Sequence, residues 1–336
     1  MTTTGPQTDA PPRTKAIPIV DLAGDEDAVL RALVAACTDT GFFGVTGHGV
    51  PAATVAGAFD AARAFFALPE DEKRRVRRPR PELNRGWIAP GTETLARLAG
   101  RETPPDFKEV FTAGPEAFDP DDPYFTCEAA RPHWGATPWP ERPAGFRDAV
   151  LAYQSGMVDL TARLMTLFCR ALGVADDHLA RRSTRAPSQM RLIHYPPYDG
   201  PWQPGQLRAG EHTDLSLLTI VASDNNAVGG LEVRDRDGDW VAAPDFDGFM
   251  VNLGDTMMRW CNDRWVSTPH RVANPPPDAG ARSERFSLAY FHIVDYDAVI
   301  ECLPSCVDAA HPARYAPITM GEYRASRFAR TANAGG

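Results

Sequence analysis

Beyond residue 185 this 336-residue chain breaks into short β-branched or alternating apolar runs, at 190–195, 217–221, 231–233, 240–242, 249–253 and 286–294, each bounded by turn residues. No helical stretch separates them. Strands that follow one another this closely cannot form βαβ crossovers, so a doubly wound parallel sheet is disfavoured and a mainly β sandwich or barrel is expected. Asp237-Gly238 between two runs is a hairpin signal. Before residue 185 the period is that of helices. Val29, Leu30, Leu33, Val34 and Cys37 share one face, and Phe146, Val150, Tyr153, Met157, Leu160, Leu164 and Phe168 recur at steps of three and four. The second pattern predicts a long helix ended by Gly173, a spine against which the sheet packs. We expect one domain over residues 16–328, with a helix-rich part (16–185), a β core carrying the site (186–300) and a closing segment (301–328). Residues 1–15 and 329–336 read as tails.

Hydrophobic residues make up 43 % of the chain and charged residues 24 %, enough to bury a core. A net charge of -9 argues against a nucleic-acid partner, which needs clustered Lys and Arg. The one basic run, Lys73-Arg74-Arg75-Val76-Arg77-Arg78, follows Glu70-Asp71-Glu72 and reads as a solvated helix end. No signal-peptide pattern opens the chain and no run approaches the ~20 apolar residues of a membrane span, so a cytoplasmic location and no membrane contact are expected. Six cysteines without a Cys-x-x-Cys pair read as reduced, mostly buried thiols. A monomer acting on a small molecule is the default expectation.

Glu211-His212-Thr213-Asp214 lies just before the apolar run at 217–221. In extended chain, residues two apart project to one side, so the imidazole and the carboxylate can meet on one ion. A single His-x-Asp is a weak signal. His270, in Ser267-Thr268-Pro269-His270-Arg271-Val272, would add a second imidazole from a facing strand. Two histidines and a carboxylate on one face of a metal leave its other positions open, the geometry of non-haem iron(II) oxygenases. Catalytic zinc uses the same donors, so ligand type alone leaves the metal open. Arg285-Phe286-Ser287 sets two polar side chains on one side of a strand whose other positions, Phe286, Leu288 and Tyr290, are apolar. A guanidinium inside a β core calls for a planar anion, and a dicarboxylate bridging from the metal to Arg285 would satisfy both. A protein carboxylate is the alternative partner.

Several segments, in order, carry a family resemblance that spans nearly the whole chain. They are Ile17-Pro18-Ile19-Val20-Asp21-Leu22, Gly41-Phe42-Phe43-Gly44-Val45-Thr46-Gly47-His48-Gly49-Val50, Gly210 to Thr219, Gly229-Gly230-Leu231-Glu232-Val233, Val251-Asn252-Leu253-Gly254-Asp255, Ser267 to Val272 and Arg285-Phe286-Ser287. The chain resembles the isopenicillin N synthase-like branch of the 2-oxoglutarate and iron(II)-dependent oxygenases. The resemblance implies a double-stranded β-helix, or jelly-roll, core with flanking helices, packed on a long helix. It implies that His212, Asp214 and His270 bind iron(II), and that Arg285 and Ser287, with Tyr195, bind 2-oxoglutarate. Ile193 stands where the family carries an asparagine, so one amide donor is missing. The implied reaction consumes O2 and 2-oxoglutarate, releases succinate and CO2, and hydroxylates, desaturates or cyclises a small molecule, with natural-product biosynthesis as a plausible setting.

In this family the amino-terminal third and the carboxy-terminal helix close over the metal. That makes Asn84, Arg85, Trp87, Phe107, Lys108 and Phe291 candidate substrate contacts, although Asp106, Lys108 and Glu109 could equally form an ion-pair cluster. His48 and Asp255 read as residues that order loops, and His194 and His292 as interior histidines. Two alternatives stay open from sequence: an iron oxidase that takes all electrons from its own substrate, as isopenicillin N synthase does, and a jelly-roll binding module without chemistry.

Overall fold

The computed structural model describes residues 17–198, 200–224 and 230–333. The expected amino-terminal tail, Gly229 and the last three residues lie outside the described residues. The helix-rich part holds β1 (Ile19–Asp21), α1 (Glu26–Asp39), β2 (Phe42–Thr46), α2 (Ala52–Phe66), α3 (Glu70–Arg75), β3 (Gly86–Ile88), β4 (Glu109–Ala113), α4 (Pro123–Thr126) and α5 (Phe146–Leu172). The β core follows with β5 (Gln189–Tyr195), β6 (Ala209–His212), β7 (Leu218–Ser223), β8 (Leu231–Arg234), β9 (Trp240–Ala242), β10 (Phe249–Leu253), α6 (Asp255–Trp260), β11 (His270–Val272) and β12 (Arg285–His292). A short pair, β13 (Val299–Ile300) and β14 (Ile318–Thr319), leads into α7 (Met320–Asn333). Each run expected to be a strand is one, within a residue or two.

One sheet runs β1-β2-β10-β7-β12-β5-β4-β3 and the other β6-β11-β8-β9. The middle four strands of the first and the four of the second, all antiparallel, form a double-stranded β-helix. The helix-rich part extends the first sheet at both edges, pairing strand borders that would otherwise be open. The spine helix forms as its periodicity predicts: Phe146, Val150, Tyr153, Met157, Leu160, Leu164 and Phe168 are all buried, and α5 packs on α1, α2 and β12. Gly173 ends it in the left-handed region, at φ 68°, and its N–H returns to the Arg170 carbonyl. His48 orders its turn by accepting the Val50 N–H at Nδ1, 3.1 Å away.

Two expectations need correction. Residues 329–333 are not tail but the last turn of α7, because Ala329 and Arg330 are good helix formers and nothing there stops a helix. The basic run is not uniformly solvated. Arg74 does sit outside, paired with Glu70, but Lys73 is buried. Its Nζ donates to Glu109 Oε2 at 2.8 Å and to the Phe66 carbonyl at 3.1 Å. Glu109 also accepts from Trp87 Nε1 at 2.8 Å and from His194 Nδ1 at 2.9 Å. Burial pushes the Glu109 carboxyl up, but these donors outweigh it and hold it below its usual range. A six-residue helix has only one or two inward positions, and the charge pattern cannot say which residue takes them. No helix among the described residues is long and apolar enough to cross a membrane.

Candidate functional site

Alternation on three neighbouring strands builds one wall of a cavity of about 720 Å3. On β12, Phe286, Leu288 and Tyr290 turn to the helical core, while Arg285, Ser287, Ala289 and Phe291 line the cavity. β5 sets Tyr195, Ile193, Arg191 and Gln189 directly opposite these four in register. β7 places Ser223 beside Ser287, Val221 beside Ala289 and Thr219 beside Phe291.

The second sheet supplies the metal donors. β6 and β11 pair with His212 opposite His270, which brings the two rings to 4.3 Å between centroids. Asp214 lies two residues beyond the end of β6, on the side of His212 as expected of residues two apart. Its main chain is held by the Asp255 N–H, which donates to the Asp214 carbonyl at 2.7 Å. Asp214 Oδ1 then stands 3.8 Å from His212 Nε2 and 3.9 Å from His270 Nε2. The three ligand atoms lie within 4.8 Å of one another, and among the described residues this is the one such cluster.

The chemistry of this donor set fits a divalent cation. His212 Nδ1–H donates to the Gly210 carbonyl at 2.7 Å and His270 Nδ1–H to the Thr268 carbonyl at 3.2 Å, which leaves both Nε2 lone pairs facing Asp214. Burial, with His270 beside it, pushes His212 well below the usual imidazole range, which favours its neutral form. Burial pushes Asp214 up, but His270, His212 and two hydrogen bonds hold its carboxyl below the usual range. Those bonds come from Thr219 Oγ1 at 2.6 Å and Asn252 Nδ2 at 2.7 Å, both to Oδ2. One oxygen is thus occupied and the other is left for the ion. The signal for Asn252 was visible as the one amide in the apolar run at 249–253; Thr219 gave none. Asn252→Ala is expected to weaken metal binding about 10- to 100-fold with the fold intact, as loss of an outer partner typically does. A metal titration followed by calorimetry checks it, and an unchanged affinity would remove Asn252 from the site.

Asp255 ties this centre to the closing helix. Its Oδ1 accepts from Ser267 Oγ at 2.8 Å, and its Oδ2 from Tyr323 of α7 at 3.2 Å, with Arg327 at 3.4 Å. Burial raises its carboxyl above the usual range, against these donors.

At the other end of the wall Arg285 is buried, with Nη2 donating to Ser223 Oγ at 2.6 Å and Nε without a partner. Gly230 makes room for it: a Cβ there would stand 3.0 Å from Arg285 Nη1. Tyr195 faces it across the ladder, and burial pushes the phenol above its usual range, so it keeps its proton. Arg285, Ser287 and Tyr195 therefore present donors to one end of the cavity whose other end is the His212, Asp214 and His270 face.

Asn84, Lys108 and Phe291 line the cavity as expected. Arg85, Trp87 and Phe107 do not. Trp87 shares the Glu109 side of the first sheet, and Phe107 packs on Tyr198 and Trp202, because residues on either side of Lys108 alternate away from it. Arg85 is wholly buried against Gly114, donating to the Asn84 and His133 carbonyls. The ion-pair alternative for Lys108 holds at the same time: its Nζ meets Asp106 at 2.9 Å. His194 and His292 are interior and hydrogen-bonded, the first between Glu109 and Glu284, the second between Ser188 and Ser183.

Two family models match the chain: one described as the 2OG-Fe(II) oxygenase superfamily over residues 186–293, the other as the non-haem dioxygenase in morphine synthesis N-terminal region over 17–142. The chain is 31 % identical to a proline hydroxylase of Petromyces alliaceus, covering 92 % of this chain and 95 % of that one. It is 33 % identical to the validamycin A dioxygenase of Streptomyces hygroscopicus subsp. limoneus, covering 92 % and 85 %. A full-length Neurospora crassa protein solved in complex with alpha-KG superposes with a TM-score of 0.81 at 30 % identity, covering 94 % of this chain and 96 % of that one.

Proposed function

The chain belongs to the 2OG-Fe(II) oxygenase superfamily and is an iron(II)- and 2-oxoglutarate-dependent dioxygenase of small molecules, and from that premise we propose how its own residues divide the work. His212, Asp214 and His270 hold iron(II); Arg285, Ser287 and Tyr195 hold the distal carboxylate of 2-oxoglutarate. The observation that carries this reading is the placement of one buried guanidinium with an unpartnered Nε at the far end of the cavity that also contains the metal cluster. Iron(II) held by these three residues would supply O2 activation, with oxidative decarboxylation of 2-oxoglutarate to succinate and CO2 coupled to two-electron oxidation of the substrate.

The protein contributes position and dryness. Neutral His212 offers a nitrogen lone pair, Asp214 the negative charge, and Thr219 with Asn252 fix which carboxylate oxygen faces the ion. The Arg285 fork and the Tyr195 and Ser287 hydroxyls orient the cosubstrate. Ile193, Val221, Leu231 and Val272 line the space between with apolar surface and exclude water. Ile193 replaces the family's amide donor with a methyl-bearing wall, so Tyr195 and Arg285 carry the polar recognition. The remainder of the cavity, including Asn84, Lys108 and Phe291, receives the substrate. Because the first sheet draws strands from both halves, residues 17–333 act as one domain. The likeness to validamycin A dioxygenase supports a role in natural-product tailoring.

Anaerobic addition of iron(II) and then 2-oxoglutarate should produce the weak visible charge-transfer absorption of the chelate, and admission of air should release succinate. Iron uptake without that absorption, and without succinate, would move the chain to the oxidase reading, with Arg285 binding a substrate carboxylate instead.

A further inference from the structure

One member of the basic run, Arg78, is half-buried and lines the cavity. Its backbone N–H donates to the Trp87 carbonyl at 2.9 Å, which pins it beside β3. Apart from Arg285 and Asp214, the cavity lining carries five cations, Arg78, Arg97, Lys108, Arg191 and Arg324, against two carboxylates, Glu82 and Glu93. In a chain of net charge -9 this concentration runs against the composition. The carboxylates are already engaged. Arg191 Nη2 donates to both oxygens of Glu93, at 2.6 and 2.7 Å, and Lys108 Nζ stands 3.6 Å from the same group. Burial pushes Glu93 up, but Arg191, Lys108 and Arg78 hold it down to about 2, so it is ionised. Glu82 faces Arg80 and Arg131, and Arg97 pairs with Glu102. Among the described residues Arg78 makes no close ion pair; it acts on Glu93 only at longer range.

A half-buried guanidinium that makes no close ion pair, in a cavity where Arg97, Lys108 and Arg191 do and where Glu93 is already bound by Arg191, is a recognition element for an anion. We propose that the substrate is an organic acid whose carboxylate is bound by Arg78, with the carbon to be oxidised turned toward the His212, Asp214 and His270 face. Leu95, Leu98, Phe291 and Met320 offer apolar contact to its carbon skeleton, so the acid has an apolar body. The inference rests on the dioxygenase assignment. Among the expected substrate contacts it puts Arg78 in the place of Arg85, which does not line the cavity.

The test is calorimetry on anaerobic, full-length protein loaded with iron(II) and saturating 2-oxoglutarate, which occupies Arg285. The probes are acid and amide pairs: phenylacetate with phenylacetamide, and indole-3-acetate with indole-3-acetamide. The acid of a pair is expected to bind about 10- to 100-fold tighter than its amide, the worth of a hydrogen-bonded charge pair. Arg78→Met should erase that preference, and Arg78→Lys should restore part of it. Amides that bind as tightly as acids, acids that do not bind, or a preference that survives in Arg78→Met would each overturn the proposal. Failure of the parent assignment reads out separately, as loaded protein that shows no chelate absorption before any probe is added.

Discussion

Asp214→Ala protein is expected to take up no iron(II) at micromolar metal and to release succinate at least about 1,000-fold more slowly than the parent, because several kcal/mol of metal-dependent stabilisation is lost outright. Asp214 is the only anionic donor in the cluster; His212 and His270 remain as two neutral imidazoles, too few to hold so weakly bound a metal as iron(II). The substitution also strips Thr219 Oγ1 and Asn252 Nδ2 of their shared acceptor. Thr219 keeps a second partner in Ser216 Oγ at 3.0 Å, so part of that local cost is met within the loop. Metal content after anaerobic loading and succinate quantified against time decide the matter. Stoichiometric iron together with about a tenth or more of the parental rate would show that the ion is held elsewhere.

Arg285→Met should leave iron binding in place while raising the 2-oxoglutarate concentration needed for half-maximal chelate absorption about 100- to 1,000-fold. Truncating one partner of a buried, hydrogen-bonded charge pair costs about 2–5 kcal/mol, and methionine keeps the apolar bulk of the side chain. Two features make this site steep. Arg285 is buried, so water does not replace the lost partner, and Ile193 leaves the carboxylate without an amide donor nearby. Asp224 lies close by and attracts the guanidinium without a close ion pair: it accepts the Phe286 N–H at 3.1 Å, and burial raises its carboxyl above the usual range. Arg285→Lys should fall between the two, keeping the charge but losing the fork. If half-saturation in Arg285→Met stayed within about threefold of the parent, the cosubstrate carboxylate would have to bind elsewhere.

The strands, the spine helix and the metal donors were legible because each depends on pattern within a few residues. Period two at 285–291 set Arg285 and Ser287 together, and a lone His-x-Asp gained meaning from His270 and the motifs around it. What pattern missed was which charged residues turn inward on short or irregular segments. Lys73 and Arg78 belong to one basic run, yet Lys73 is packed on Glu109, Arg78 on the cavity wall, and Arg74 in solvent.

By itself the sequence determined the class of fold, the two histidines and the carboxylate of the metal centre, and the arginine and serine at the opposite end, since strand alternation and donor chemistry are local properties. Only the tertiary structure decided that Thr219 and Asn252 hold the Asp214 carboxylate, that Arg85, Trp87 and Phe107 do not line the cavity, and that Arg78 does. The physical reason is common to all of these: where a segment leaves regular strand or helix geometry, side-chain direction is set by whichever distant partner satisfies its buried polar groups, and that partner is chosen by the fold.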